Sequence, residues 1–137
     1  MIQNSEAYMR FLILEDDDSM VKLYTHWLNK ANIQTDTCSS GTDAIKNHFN
    51  DKNHNFDLVI ADLHLEGDKS GDQVIDLLKN LEMTSKDKTP VLFLSANINK
   101  ELRIQFKKEK HIKFMEKKNI GYSNFLQRIE SLTTKEK

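Results

Sequence analysis

Residues 11–18 read FLILEDDD, in which four apolar residues are followed directly by four acidic ones. A strand that is apolar at every position is typical of a parallel sheet whose two faces are both covered by helices. Residues 58–61 (LVIA) and 91–94 (VLFL) have the same character, and 33–38 and 112–115 are weaker strand candidates. We therefore predict five strands, with the first, third and fourth at the centre of the sheet.

Segments of helical period separate these strands, which predicts an α/β protein with a mainly parallel sheet. The first helix is expected to follow a cap at Asp18 or Ser19, and the fifth to begin near Ser123. The fourth helix, within residues 99–110, has few apolar positions and should be the least firmly packed. The apolar positions of the five helices are Met20, Leu23, Tyr24, Trp27 and Leu28; Ala44, Ile45, His48 and Phe49; Val74, Ile75, Leu77, Leu78 and Leu81; Leu102, Ile104 and Phe106; and Phe125, Leu126, Ile129 and Leu132.

Length and charge limit the classes of function. The 137 residues suit one domain, with an expected core at about 10–132 and short polar tails. A net charge of −1, from 20 basic and 21 acidic residues, gives no cationic field for nucleic acid. No apolar run approaches the roughly 18 residues of a membrane helix, no secretory signal is present, and the single cysteine, Cys38, fits a reducing compartment. We expect a cytoplasmic protein without nucleic-acid or membrane partners.

Polar residues stand where the predicted strands end. Glu15 and Asp16 follow the first strand, Asp62 the third, Ser95 the fourth and Lys117 the fifth. Ligands of open parallel sheets bind at the carboxyl ends of the strands. Crowded carboxylates favour a cation, and Mg²⁺ suits oxygen ligands while leaving positions for phosphate oxygens. With a lysine and a hydroxyl close by, this arrangement predicts phosphoryl transfer.

Each residue also has an ordinary structural interpretation. Asp17 and Asp18 are interpreted as a helix cap and a favourable first-turn charge, and we do not assign them as ligands. Taken alone, Asp62 and Ser95 would be turn residues, and Lys117 would be a solvated surface lysine. Their joint placement at successive strand ends is what favours a functional site.

Four segments, FLILEDD, FDLVIADLHL, PVLFLSA and FMEK, stand in an order and at a spacing that resembles the receiver domain of response regulators. The resemblance covers roughly Arg10 to Leu132. It implies a CheY-like, flavodoxin-like (β/α)5 fold, a doubly wound five-stranded parallel sheet with strand order 2-1-3-4-5. It also implies a single stand-alone receiver domain across residues 1–137 that acts in a two-component phosphorelay.

The same resemblance implies the roles of the acidic residues. Asp62 matches the phosphoacceptor, which would take a phosphoryl group from a phosphohistidine. Asp16 matches the direct Mg²⁺ ligand, Glu15 an acidic residue that acts through a metal-bound water, and His64 the position whose backbone carbonyl binds the metal. Asp62 would be a further metal ligand. The expected partner is a sensor histidine kinase or a histidine phosphotransferase.

A second group of residues matches the switch of the family. Ser95 corresponds to the switch hydroxyl, Lys117 to the phosphoryl-binding lysine and Phe114 to the switch aromatic residue. Phosphorylation would remodel the surface of the fourth helix, fifth strand and fifth helix, where an unknown downstream protein or a second copy of the chain would bind. The protein would catalyse only its own phosphorylation and dephosphorylation. Lys118 stands where the family has a proline, so either a non-proline loop or a non-proline cis bond is expected there.

Three other classes of protein share part of this pattern. A haloacid-dehalogenase-type phosphatase needs a second aspartate two residues after Asp62, where this chain has His64. A calcium loop starting at Asp62 needs glutamate at the position of Gln73. The third alternative is a pseudo-receiver, which binds proteins without being phosphorylated, and it stays open at the level of sequence.

Overall fold

The computed structural model describes residues 9–39, 56–63, 79, 89–96 and 100–134. Five parallel strands form one sheet in the order β2-β1-β3-β4-β5, which confirms the predicted fold. The strands are β1 (Arg10–Leu14), β2 (Gln34–Cys38), β3 (Leu58–Leu63), β4 (Val91–Ser95) and β5 (Ile112–Glu116). The three fully apolar runs are the central strands, as predicted.

Three α-helices and one 3₁₀ helix lie within the described residues: α1 (Asp18–Lys30), α2 (Lys100–Gln105), the 3₁₀ helix (Lys117–Asn119) and α3 (Tyr122–Thr133). They correspond to the first, fourth and fifth predicted helices, with the 3₁₀ turn in addition. The second predicted helix lies outside the described residues, and so does the third except for Lys79. Among described residues, no helix is long and apolar enough to cross a membrane.

Two buried clusters, one on each face of the sheet, hold the layers together. Phe11 and Ile13 of β1 contribute to the cluster under α1 and α3, whereas Leu12 and Leu14 contribute to the opposite one. Successive side chains of a strand point to opposite faces, so a strand buried on both must be apolar throughout. This requirement explains the uninterrupted apolar runs.

Two of the apolar helix positions are exposed. Leu23 of α1 is 37% exposed, and Ile104 of α2 is 72% exposed. In α1, Tyr24 and Leu28 are fully buried and Trp27 packs at the edge of the same cluster, so the apolar stripe is wider than the face that the sheet covers. In α2, the packing on the core falls to Phe106, just beyond the end of the helix.

Candidate functional site

Parallel register places the first and third strand ends side by side. Leu14 of β1 pairs with Ala61 of β3. The residues that follow them, Glu15 and Asp62, are therefore neighbours at the same edge of the sheet. The backbone N–H of Glu15 donates to the carbonyl of Cys38 on β2, which extends the ladder to the position of the carboxylate. The strand ends therefore position these acids through backbone pairing.

Three carboxylates meet at this edge. One oxygen from each of Glu15, Asp16 and Asp62 lies within 4.8 Å of the others. The side chains of Glu15 and Asp62 are only 1% exposed, whereas Asp16 is exposed to solvent. Two ligands of one Mg²⁺ lie at most about 4.2 Å apart, so these hard oxygen donors fit such an ion with small side-chain movements.

Lys117 brings a positive charge to the two buried acids. Its Nζ lies 2.5 Å from Asp62 Oδ2 and 3.5 Å from Glu15 Oε1, and its side chain is 25% exposed. Burial by itself lowers the pKa of Lys117, but the hydrogen bond and charge of Asp62, assisted by Glu15, raise it above its ordinary value. The lysine is thus held as a cation against the site.

The crowding of acids also changes the protonation of Glu15. Burial, and then the hydrogen bond and charge of Asp62, raise the pKa of Glu15 from 4.5 to about 7. The backbone N–H of Asp17, which donates to Glu15 Oε2, and the charge of Lys117 oppose the rise without cancelling it. The pKa of Glu15 is therefore shifted upward, toward neutral pH.

Asp17 and Asp18 serve α1, as the sequence predicted. The predicted cap was one or two residues late, however, because Asp17 is the cap: its Oδ1 accepts hydrogen bonds from the backbone N–H groups of Ser19 and Met20. Asp18 is exposed in the first turn, where a negative charge complements the helix dipole. Neither belongs to the carboxylate cluster.

Ser95 and Phe114 lie on the neighbouring strands. Ser95 ends β4 at 1% exposure, and it is in register with Leu63, the residue after Asp62. Phe114 of β5 is half-buried and stacks on Phe93 at a centroid distance of 5.3 Å. Phe114 also contacts Phe106 at 6.5 Å, so an aromatic row runs from the sheet to the segment after α2.

The structure shows the conformation of the peptide bond at Lys118, but it does not test the predicted role of His64. No described peptide bond is cis, so Lys118 continues in trans into the 3₁₀ helix. Lys117 still reaches Asp62, which means that the family's proline is not needed for that contact. His64 lies outside the described residues, so the prediction for its backbone carbonyl stays a prediction.

The sequence pattern predicted Tyr24 only as an apolar position of the first helix. Its ring is fully buried against Phe125 at a centroid distance of 5.5 Å, and its hydroxyl has no hydrogen-bond partner among the described residues. Burial, and then the charges of Glu15 and Asp62, raise the pKa of Tyr24 above its ordinary range. A tyrosine on a stripe that is otherwise apolar was the available signal.

The model of the response regulator receiver domain family matches residues 11–130, which is most of the sequence. The chain belongs to this receiver domain family. Proteins of the family act in two-component systems, generally interact with histidine kinases or phosphotransferases and typically bind Mg²⁺. The acidic cluster of this receiver domain could hold such a cation.

Solved structures with the same fold include several receiver domains. The non-phosphorylated HemR receiver domain from Leptospira biflexa is 25% identical with a TM-score of 0.73, covering 94% of this chain and 97% of that one. The receiver domain of a putative LuxO repressor protein from Vibrio parahaemolyticus is also 25% identical, with a TM-score of 0.69 and coverage of 91% and 90%. Chemotaxis protein CheY4 from Vibrio cholerae shares the fold at 18% identity and a TM-score of 0.71, covering 92% and 99%. No curated protein matches the sequence significantly.

Proposed function

We propose that this receiver domain is a phosphorylation switch in which Asp62 accepts a phosphoryl group from the phosphohistidine of a sensor histidine kinase or histidine phosphotransferase. The observation that carries the proposal is the surroundings of the buried Asp62 side chain. Two other carboxylates lie close to it, and the ammonium group of Lys117 lies 2.5 Å from its Oδ2. A purely structural aspartate needs neither the acidic neighbours nor the cation.

The reaction assigned to Asp62 is an in-line displacement at phosphorus. A carboxylate oxygen of Asp62 forms the new P–O bond while the P–N bond of the phosphohistidine breaks, and the departing imidazole nitrogen keeps the bonding pair and takes up a proton from solvent. The product is an acyl phosphate. Hydrolysis of its P–O bond by water would regenerate the carboxylate and reset the switch.

Mg²⁺ is the proposed cofactor. Asp16, Asp62 and the backbone carbonyl of His64 would bind it directly, and Glu15 would bind it through a water molecule. When bound, the ion supplies positive charge that offsets the phosphoryl oxygens. The mutual proximity of the three carboxylates supports this assignment.

Lys117 is proposed to act before and after transfer. In the unphosphorylated chain it orients Asp62 by donating to Oδ2. Once that carboxylate becomes an acyl phosphate, the negative charge moves to the phosphoryl oxygens, and Nζ can donate to one of them instead. The same cation would therefore favour the phosphorylated state.

Ser95 and Phe114 are proposed to convert phosphorylation into a change of surface. Ser95 ends the strand next to that of Asp62, so a phosphoryl group there could draw its hydroxyl across. Phe114, half-buried against Phe93, would turn inward as Ser95 moves. The surface formed by α2, β5 and α3 would then change for a downstream protein or a phosphorylation-linked homodimer, by a shift in the populations of two states.

The proposal makes the protein a cytoplasmic signalling component that catalyses only its own phosphorylation and dephosphorylation. To test it, wild type, Asp62→Asn and the matched control Asp18→Asn are incubated with acetyl phosphate, with and without Mg²⁺, and analysed by intact mass. We expect one phosphoryl group on wild type and Asp18→Asn, only with Mg²⁺, and none on Asp62→Asn. No modification of wild type in any condition would instead support the pseudo-receiver alternative.

A further inference from the structure

A buried tyrosine hydroxyl lies in the core beside the acidic edge of the sheet. Tyr24 is fully buried, and among the described residues its hydroxyl group has no hydrogen-bond partner. An unpaired buried hydroxyl costs free energy, and most buried polar atoms in folded proteins do have a partner. Phenylalanine would fill the same space without this cost, so apolar packing alone does not account for the hydroxyl.

Two helices direct the ring of Tyr24 toward that edge. α1 begins there with Asp18, directly after its cap, and the side chains of a helix tilt toward its N-terminus. α3 begins at the same edge, shortly after Lys117, and its Phe125 stacks on the ring of Tyr24 at a centroid distance of 5.5 Å. The helix tilt and the stacked ring therefore hold the hydroxyl on the side of the carboxylates.

Glu15 is the carboxylate that the hydroxyl serves best. After burial, the charge of Glu15 is the strongest cause that raises the pKa of Tyr24. The other two carboxylates that act on the tyrosine are already engaged, since Asp17 caps α1 and Asp62 accepts a hydrogen bond from Lys117. The Glu15 side chain is only 1% exposed, and Lys117 lies 3.5 Å from its Oε1, so bulk water contributes little to holding it.

A single buried water molecule is the group that can join the hydroxyl to Glu15. Within the described part of the chain the two side chains are not directly hydrogen-bonded. Buried waters typically make about three hydrogen bonds to polar groups that have no other partner. Such a water can accept from the hydroxyl of Tyr24 and donate to the carboxylate of Glu15, at little cost relative to a direct hydrogen bond.

We propose that Tyr24 is a positioning residue of the metal site, which orients the carboxylate of Glu15 through a water molecule bound to the tyrosine hydroxyl. An acid that is fixed in orientation before the ion arrives binds it more tightly, because less freedom is lost on binding. The inference rests on the proposed function, in which Glu15 holds Mg²⁺ through a water. The link between Tyr24 and Glu15, however, does not depend on phosphorylation.

The stability test removes the hydroxyl alone, with Tyr24→Phe as the variant and Tyr122→Phe as the matched control. Tyr122 packs on Trp27 at a centroid distance of 6.2 Å but is only half-buried. In urea denaturation with EDTA, Tyr24→Phe should lower the folding equilibrium constant about threefold or more, and Tyr122→Phe should change it less than about twofold. A hydroxyl without a water partner predicts the opposite sign, so a Tyr24→Phe variant as stable as the wild type, or more stable, overturns the proposal.

The water molecule is observable by NMR in wild-type protein labelled with ¹³C at tyrosine Cζ. The resonance that is missing from Tyr24→Phe assigns Tyr24. Its hydroxyl proton should exchange slowly and show cross-relaxation with a long-lived water, whereas the hydroxyl of half-buried Tyr122 should exchange rapidly. A slowly exchanging Tyr24 hydroxyl without a water signal would contradict the water link.

Mg²⁺ binding tests the positioning role itself. In calorimetry, Tyr24→Phe should bind Mg²⁺ about three- to tenfold more weakly, and Tyr122→Phe should stay within about twofold of the wild type. With acetyl phosphate, the Mg²⁺ concentration for half-maximal phosphorylation should rise by the same factor, while the rate at saturating Mg²⁺ should fall less than about twofold. Unchanged Mg²⁺ affinity, or loss of the saturated rate alone, would overturn the positioning role.

Failure of the proposed function gives a different pattern of results. A wild type that accepts no phosphoryl group would refute the phosphorylation switch. Calorimetry, urea denaturation and NMR would still decide the role of Tyr24, because none of the three requires phosphorylation.

Discussion

Glu15→Gln separates the energetic effect of carboxylate crowding from the rest of the fold. The amide keeps the approximate shape of the side chain but cannot ionise. In the wild type, burial and the neighbouring Asp62 raise the pKa of Glu15 from 4.5 to about 7. The folded chain therefore binds a proton that the unfolded chain has already released between these two pH values.

The sign and size of the effect follow from proton linkage. Because the folded state binds the proton more tightly, this contribution to stability is fully present below pH 4.5 and is lost as the pH rises through about 7. At roughly 1.4 kcal/mol for each tenfold change in proton affinity, the interval corresponds to about 3 kcal/mol. The Glu15→Gln variant should not lose this stability as the pH rises.

Urea denaturation in EDTA, over a series of pH values, measures the prediction. The free energy of unfolding of the wild type relative to Glu15→Gln should fall by about 3 kcal/mol between pH 4.5 and just above 7. Taking the difference removes the titration of shared groups that do not interact with Glu15. Parallel curves, or a wild type that gains stability relative to the variant as the pH rises, would refute the reasoning.

Three further predictions concern the neighbours of Glu15. Lys117→Met removes the cation from two buried carboxylates and should lower the free energy of unfolding without Mg²⁺ by about 2 kcal/mol. The expected loss is smaller than for a fully buried ion pair because the lysine side chain is 25% exposed. An unchanged urea midpoint would contradict this prediction. Asp16→Asn should weaken Mg²⁺ binding in calorimetry at least about tenfold, whereas Asp18→Asn should not; equal affinities would remove Asp16 from the ligand set. Asp17→Ala should destabilise the protein by about 1 kcal/mol through loss of the α1 cap, and Asp18→Ala by only a few tenths, so that equal losses would argue against the capping assignment.

Apolar patterning predicted the sheet because burial on both faces leaves few options for a strand. FLIL, LVIA and VLFL became β1, β3 and β4, and each extends by at most two residues beyond its predicted limits. Helical periodicity placed Leu23 and Ile104 among the apolar positions of their helices, but both side chains are exposed. Periodicity predicts the direction of an apolar stripe but not the width of the stripe that the sheet covers. That width depends on the positions of neighbouring elements.

Strand ends predicted which residues could meet, but not how they interact. Asp62 and Lys117 are 55 residues apart in sequence, and only the register of three adjacent strands brings Nζ to 2.5 Å from the carboxylate. The trans geometry at Lys118 and the protonation of Glu15 depend equally on tertiary context. Sequence identified the chemical groups, whereas distance and burial came from packing.

The most direct test of the account is the position of the phosphoryl group itself. After incubation with acetyl phosphate and Mg²⁺, borohydride reduction converts a phosphorylated aspartate to homoserine with release of phosphate, and peptide mass spectrometry locates the converted residue. The account predicts conversion at Asp62 alone, dependent on Mg²⁺. Conversion at another carboxylate, or at none while intact mass shows a stable phosphoryl adduct, would contradict it.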